Sequence, residues 1–179
     1  MPECGAHVAL AGVTALAWLG LGSLALAPLG SSGDRLLDAL NRFGAGALGF
    51  ALLTLGAGWL GLLHQALYVP LLAATAVAGA VAARSLARGA SLPRLRDWPR
   101  WQLALAVLLA VYVALGLVVT CAPISSADAL YYHAAAPELF EQEHRIVELP
   151  WSWNSYQPYT VEMLVTDGFL LWDSIQGAF

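Results

Sequence analysis

The stretch SSADALYYHAAAPELFEQEHRIVELP, residues 125–150, places carboxylates, tyrosines and histidines close together directly after a long apolar run. Its first ionisable residue is Asp128. A carboxylate within hydrogen-bond reach of a hydroxyl group can remove the hydroxyl proton, which makes Asp128 a candidate general base. A purely structural explanation also exists, because Ser125 and Asp128 match the S/T-x-x-D/E pattern that caps a helix N-terminus. Replacing Asp128 by Asn separates the two interpretations. Loss of a cap costs about 1 kcal/mol of stability or less, whereas loss of a general base lowers the rate by roughly a hundredfold or more.

Three further residues in or near this stretch have side chains suited to a site. Tyr132 follows Asp128 by four positions and can share a helical face with it, although packing at the membrane interface is the simpler account. His133 is either a substrate contact or a helix-packing residue. Glu162, in PYTVEML, begins an apolar stretch where a carboxylate is costly unless it is functional or exposed to water. Because His133, His144 and Glu162 match no metal-ligand spacing, no cofactor is predicted and a divalent metal is unsupported.

The helices that position these residues are predicted to be membrane helices. The 179 residues are 59% hydrophobic and 11% charged, whereas soluble domains contain about 25% charged residues. An apolar run of about 20 residues is long enough to cross a bilayer. The charge-free run from Phe43 to Ala83 is about twice that length, so we expect it to fold back on itself, with LLHQALYVP as the turn. We therefore predict an all-α polytopic transmembrane helix bundle with four spans and a partial fifth. The four spans lie near residues 7–29, 44–63, 67–83 and 101–121.

The distribution of arginine predicts the orientation of the bundle. All eight basic residues are Arg, and seven of them lie between predicted spans: Arg35, Arg42 and five in the loop 84–100. Short Arg-rich loops stay in the cytoplasm. The N-terminus, the turn at His64 and residues 122–160 are therefore predicted to be extracytoplasmic. A solvated, Pro-containing topogenic loop that can also contact anionic lipid of the bilayer is a sufficient explanation of these arginines, so nucleic-acid binding is not expected.

Short amphipathic helices are predicted outside the spans. Residues 34–43 have one apolar face, which favours a short interfacial helix before the second span. In the external segment, Pro137 either kinks a helix or opens a second short one, and PELFEQEHR is expected to lie on the membrane surface. The predicted divisions are a transmembrane bundle over 1–121, an external catalytic-type loop with juxtamembrane helices over 122–160, and the start of an incomplete fifth span over 161–179.

The order of these features resembles a known family. An Arg-rich loop and a span precede APISSADALYYHAAAPELFEQEHRI, and SYQPYTVEML follows it. This order looks like the first external loop of GT-C-type glycosyltransferases. More narrowly, it is similar to bacterial polytopic enzymes related to protein O-mannosyltransferases and to the lipid A aminoarabinose transferase. The similarity covers roughly residues 101–179.

The resemblance implies inverting transfer of a sugar from a polyprenyl-phosphate donor to a protein, lipid or polysaccharide acceptor. The expected location is the outer face of the bacterial inner membrane, and Asp128 is the expected catalytic base. Arg145 is the only Arg in the external segment, and the leaving phosphate requires cationic or hydrogen-bond-donating groups. The expected substrate-binding residues are Tyr132, His133, Arg145 and Glu162. Since enzymes of this family have about ten or more spans, the chain is expected to be an N-terminal fragment that is inactive alone.

Two other function classes stay open. A transporter would use the external loop as a gate and would need ionisable residues inside its spans, of which the four predicted spans have essentially none. A small non-catalytic membrane subunit would dock through faces rich in Ala and Gly. The DNA downstream of the Phe179 codon separates these classes, because six or more further spans would support the enzyme.

Overall fold

A computed structural model describes residues 2–88, 98–120, 133–150 and 160–172, and every regular element among them is helical. The predicted all-α class is therefore confirmed. A 3-10 turn, Ala27–Leu29, follows the first helix. The helices are α1 (Pro2–Leu26), α2 (Arg35–Trp59), α3 (Gln65–Ala87), α4 (Arg100–Thr120), α5 (Ala135–Gln142) and α6 (Thr160–Trp172).

Three of these helices are long and apolar enough to cross a membrane. The membrane-length segments are Val8–Leu29, Arg35–Trp59 and Gln65–Ala87, with 22, 25 and 23 residues. At 1.5 Å per residue, each exceeds the thickness of a hydrocarbon core of about 30 Å. The apolar segment Arg100–Gly116 of α4 is shorter, so the fourth span stays a prediction, as does the partial fifth.

Helix α1 packs against both α2 and α3 through glycines. A Cβ atom added to Gly20 would overlap the backbone carbonyl of Thr75 in α3, and one added to Gly79 would overlap that of Leu16 in α1. The contact with α2 is built in the same way, since added Cβ atoms at Gly22 and Gly46 would also meet the partner's backbone. Small residues allow this close approach of helices in a membrane, where dispersion forces drive association.

Helix α2 starts at a strong cap. The Asp34 side chain accepts hydrogen bonds from the backbone N–H groups of Leu36 and Leu37, at 2.9 and 3.1 Å. Asp38 in the first turn accepts a further bond from the Ser32 backbone N–H at 2.9 Å. This cap nucleates one helix that runs from Arg35 to Trp59 without a break. The separate interfacial helix predicted for 34–43 was therefore wrong.

A glycine turn separates α2 from α3 at the predicted LLHQ segment. Gly61 has a φ of 71°, in the left-handed region that glycine enters without steric cost. The Gly61 N–H bonds to the Gly58 carbonyl at 3.4 Å, and the Leu62 N–H bonds to the Ala57 carbonyl at 2.8 Å. This pair of bonds is a Schellman motif, which satisfies the last carbonyls of α2 and reverses the chain.

The α5–α6 region packs on the end of the bundle that carries this turn. The Ile146 N–H bonds to the Gly58 carbonyl at 3.0 Å, and the Leu63 N–H bonds to the His144 carbonyl at 3.1 Å. A hydrophobic core joins the two regions. Its buried members are Ala51, Leu63, Tyr68, Ala136, Phe140, Leu149, Met163 and Leu170. The turn after α2 and the segments 133–150 and 160–172 thus pack together.

Candidate functional site

Two predicted site residues meet at this end of the bundle. The Nδ1 atom of His133 lies 2.9 Å from Oε1 of Glu162. The glutamate is 3% exposed, whereas about a third of the His133 side chain is exposed. A buried carboxylate without a partner would cost several kcal/mol, roughly 2–7 even for a neutral polar group. The imidazole supplies that partner and faces partly outward.

His133 lies directly before α5, a short helix with buried residues along it. His133 and Ala134 form a π-type turn that leads into α5, and Ala134 is 1% exposed. Pro137 lies in the first turn of α5, a position where its missing N–H costs no intrahelical bond. Residues 121–132, which precede the π-type turn, lie outside the described part of the chain, so both predicted alternatives for Pro137 stay predictions. Phe140, fully buried, anchors that helix on the core shared with α6.

The first turn of α6 holds Glu162. A negative charge at this position is favoured by the N–H groups and the dipole of the helix start. The Thr166 hydroxyl donates to the Glu162 carbonyl at 2.8 Å, within the helix. Met163 is 1% exposed and faces the core, whereas Val161 is 59% exposed. These neighbours set the rotation of α6, so that Glu162 points inward to the imidazole.

The pair has a defined hydrogen-bond polarity when Glu162 is ionised. An ionised carboxylate only accepts hydrogen bonds, so Nδ1 of His133 carries the proton and donates. A carboxylate in this position fixes the orientation of an imidazole ring. With Nδ1 occupied in this way, Nε2 of the neutral ring is an acceptor, and only the imidazolium form presents an Nε2–H donor and a positive charge to an anionic group.

The other predicted site residues are not part of this pair. Asp128 and Tyr132 lie outside the residues that the structure describes. Arg145 follows α5 and is exposed. Its backbone N–H bonds to the Phe140 carbonyl at 3.1 Å, and within the described segments its side chain makes no ion pair or hydrogen bond.

His144 does not join His133 and Glu162. Its Nδ1–H donates to the Leu63 carbonyl at 2.9 Å, and its ring packs on that of His64 with centroids 4.2 Å apart. The residue has a φ of 55°, which fits its place in a tight turn. Among residues 2–88, 98–120, 133–150 and 160–172, no three His, Cys, Asp or Glu side chains form a group that could hold a metal.

A second polar contact, between α2 and α6, was missed from the sequence. The Thr54 hydroxyl lies 2.5 Å from Oδ1 of Asp167, and the two residues are 0% and 5% exposed. The position of Asp167 inside an apolar stretch was a usable signal, because such residues are rare unless they are partnered or functional. Its partner, 113 positions away, had no local signal.

The described site thus has a partly exposed pair at the start of α6 and a buried contact deeper in the same helix. Comparison with known proteins gave no relative: no family model, no curated protein and no solved structure matches the chain.

Proposed function

We propose that the chain belongs to an integral membrane glycosyltransferase of the bacterial inner membrane. The enzyme transfers a sugar from a polyprenyl-phosphate donor to an acceptor on the extracytoplasmic face, with inversion. The end of the bundle that carries the α2–α3 turn, α5 and the start of α6 is the extracytoplasmic end, as the arginine distribution predicts.

The observation that carries the proposal is the contact between His133 and Glu162. His133 ends the motif DALYYH and Glu162 lies in the motif YTVEML, and the resemblance rests on both motifs. The two residues are 29 positions apart in the sequence. The three membrane-length helices support the same proposal, because a lipid-linked donor must be met at the bilayer surface.

The proposed reaction is a single displacement with Asp128 as the base. The acceptor hydroxyl loses its proton to the Asp128 carboxylate while its oxygen attacks the anomeric carbon. The bond between that carbon and the phosphate oxygen breaks, and polyprenyl phosphate leaves from the opposite face of the sugar. Removal of the proton by a positioned carboxylate contributes a factor of about 10²–10⁴ to such a rate.

His133 is proposed to contact the leaving phosphate. Negative charge grows on the phosphate oxygens as the bond breaks, and a positioned donor or cation stabilises that charge. Because Glu162 is buried, its proposed role is to hold the His133 ring and not to contact the sugar. Arg145, exposed after α5, is a second group for the phosphate, and Tyr132 is proposed to line the sugar pocket.

Replacing Asp128 by Asn tests the proposal. The full reading frame is expressed in bacterial membranes, and transfer is measured from a panel of undecaprenyl-phosphate-linked sugars. Because Asn accepts no proton at neutral pH, we expect D128N to lose at least about a hundredfold in rate with normal expression and membrane insertion. Glu141→Gln, on α5, is the matched control and should be nearly silent. Retention of more than about half of the activity by D128N would reject Asp128 as the base and leave the helix cap as its role.

A further inference from the structure

The buried contact between Thr54 and Asp167 joins two helices that otherwise meet through apolar side chains. The Thr54 hydroxyl lies 2.5 Å from Asp167 Oδ1 and 3.0 Å from the carbonyl of Phe50. The second carboxyl oxygen of Asp167 is buried and has no partner among the described residues. Thr54 is therefore the anchor for a costly buried group, and the cost of separating the two is high.

This contact is sensitive to how α6 sits in the bundle. A shift of α6 by one residue moves its side chains by about 1.5 Å along the axis and about 100° around it. Such a shift would remove the carboxyl from Thr54 and leave both polar groups buried without each other. The apolar neighbours of Asp167 on α6, such as Met163 and Leu170, impose a weaker constraint, since one apolar contact can replace another.

The same helix carries Glu162 five residues earlier. Because an α-helix is stiff over this length, a fixed position for Asp167 also fixes the position of Glu162. We propose that Thr54 and Asp167 are positioning residues, which set the rotation and depth of α6 and thereby hold Glu162 against His133. The proposal deepens the proposed function and rests on it for its catalytic meaning, while its structural part can be measured without any substrate.

Cysteine accessibility on α6 tests the proposal in the full chain. Cys4 and Cys121 are first replaced by Ser. Met163, which is 1% exposed, or Val161, which is 59% exposed, is then replaced by Cys as the buried probe and the accessible reference. The rate of reaction with a membrane-impermeant maleimide is measured in intact membranes, with and without changes at Thr54 and Asp167.

Thr54→Val keeps the side-chain shape but removes the donor. We expect it to raise the labelling rate of the 163 probe by about tenfold or more, while the rate of the 161 reference stays within about twofold. Thr54→Ser restores the donor and should return the 163 probe to its protected rate. Asp167→Asn keeps an acceptor oxygen in place and should also leave the probe protected.

Equal labelling of the 163 probe in the Thr54→Val and parent chains would overturn the proposal. So would a Thr54→Ser chain that labels as fast as Thr54→Val, because the hydroxyl would then have no part in placing α6. Thr54→Ala takes the place of Thr54→Val if the latter does not fold. Since labelling needs no donor sugar, its outcome is independent of the D128N transfer assay, and the two proposals can fail separately.

Discussion

The α1–α3 bundle and the α5–α6 region are held together in different ways. In the bundle, α1 meets its neighbours backbone to backbone, at positions such as Gly20 and Gly46 where a Cβ atom has no room. In the α5–α6 region, large side chains such as Phe140 fill the core, and individual polar pairs connect the helices. The first arrangement depends on the absence of side chains, and the second depends on their identity.

This difference separates a scaffold from a site. Close glycine contacts give a bundle a fixed shape without placing any reactive group in it. Buried polar pairs add little net stability compared with apolar packing, yet they specify one arrangement of the helices. The carboxyl groups of Glu162 and Asp167 lie in the region where side-chain identity specifies the arrangement, and the bundle supplies the surface on which that region packs.

The largest effect is expected from Gly20→Ala, which would break the scaffold. The new Cβ overlaps the Thr75 carbonyl, and a helix backbone cannot move aside as a flexible side chain can. We expect the free energy of unfolding to fall by about 3 kcal/mol or more, which is the upper range for overpacked cores. This loss of stability is measured as a lower midpoint temperature of unfolding in detergent, which fluorescence-detected size-exclusion chromatography monitors. Gly12→Ala in the same helix has open space around its Cβ and should be silent; equal midpoints for the two variants would contradict the backbone contact.

A smaller effect is expected at the start of α2, where one side chain decides the local structure. Asp34→Ala removes the acceptor for the N–H groups of Leu36 and Leu37 and should cost about 1 kcal/mol. Asp34→Ser retains a capping oxygen and should recover most of that loss. The same detergent assay measures both. If Asp34→Ser were as destabilised as Asp34→Ala, the cap would not be what fixes the start of this helix.

The sequence predicted the features that depend on composition and local chain signals. Long charge-free runs predicted α1, α2 and α3, and the turn at LLHQ was predicted because polar residues there interrupt a double-length run. Glu162 was selected as a site candidate because a carboxylate in an apolar stretch needs a reason, and the structure gives it a buried place beside His133.

Features that depend on distant partners were not predicted. The contact of Thr54 with Asp167 joins residues that no periodicity connects, and Thr54 has no local pattern that marks it as a partner for a carboxyl group. His144 was considered with His133 and Glu162, whereas it packs on His64, because the chain reverses after α5. The start of α2 at Arg35 is marked by one capping side chain, Asp34, and the helix runs from there to Trp59 without a break.

The central claim is that His133 and Glu162 act as one unit in sugar transfer, and a double-mutant cycle tests it most directly. In the full reading frame, kcat/KM is measured for His133→Ala, Glu162→Gln and the double variant. We expect losses of about a hundredfold and about tenfold for the two single variants. Because Glu162 is proposed to act only through His133, the double variant should be no slower than His133→Ala alone. Losses that multiply in the double variant, or a silent Glu162→Gln, would contradict the account.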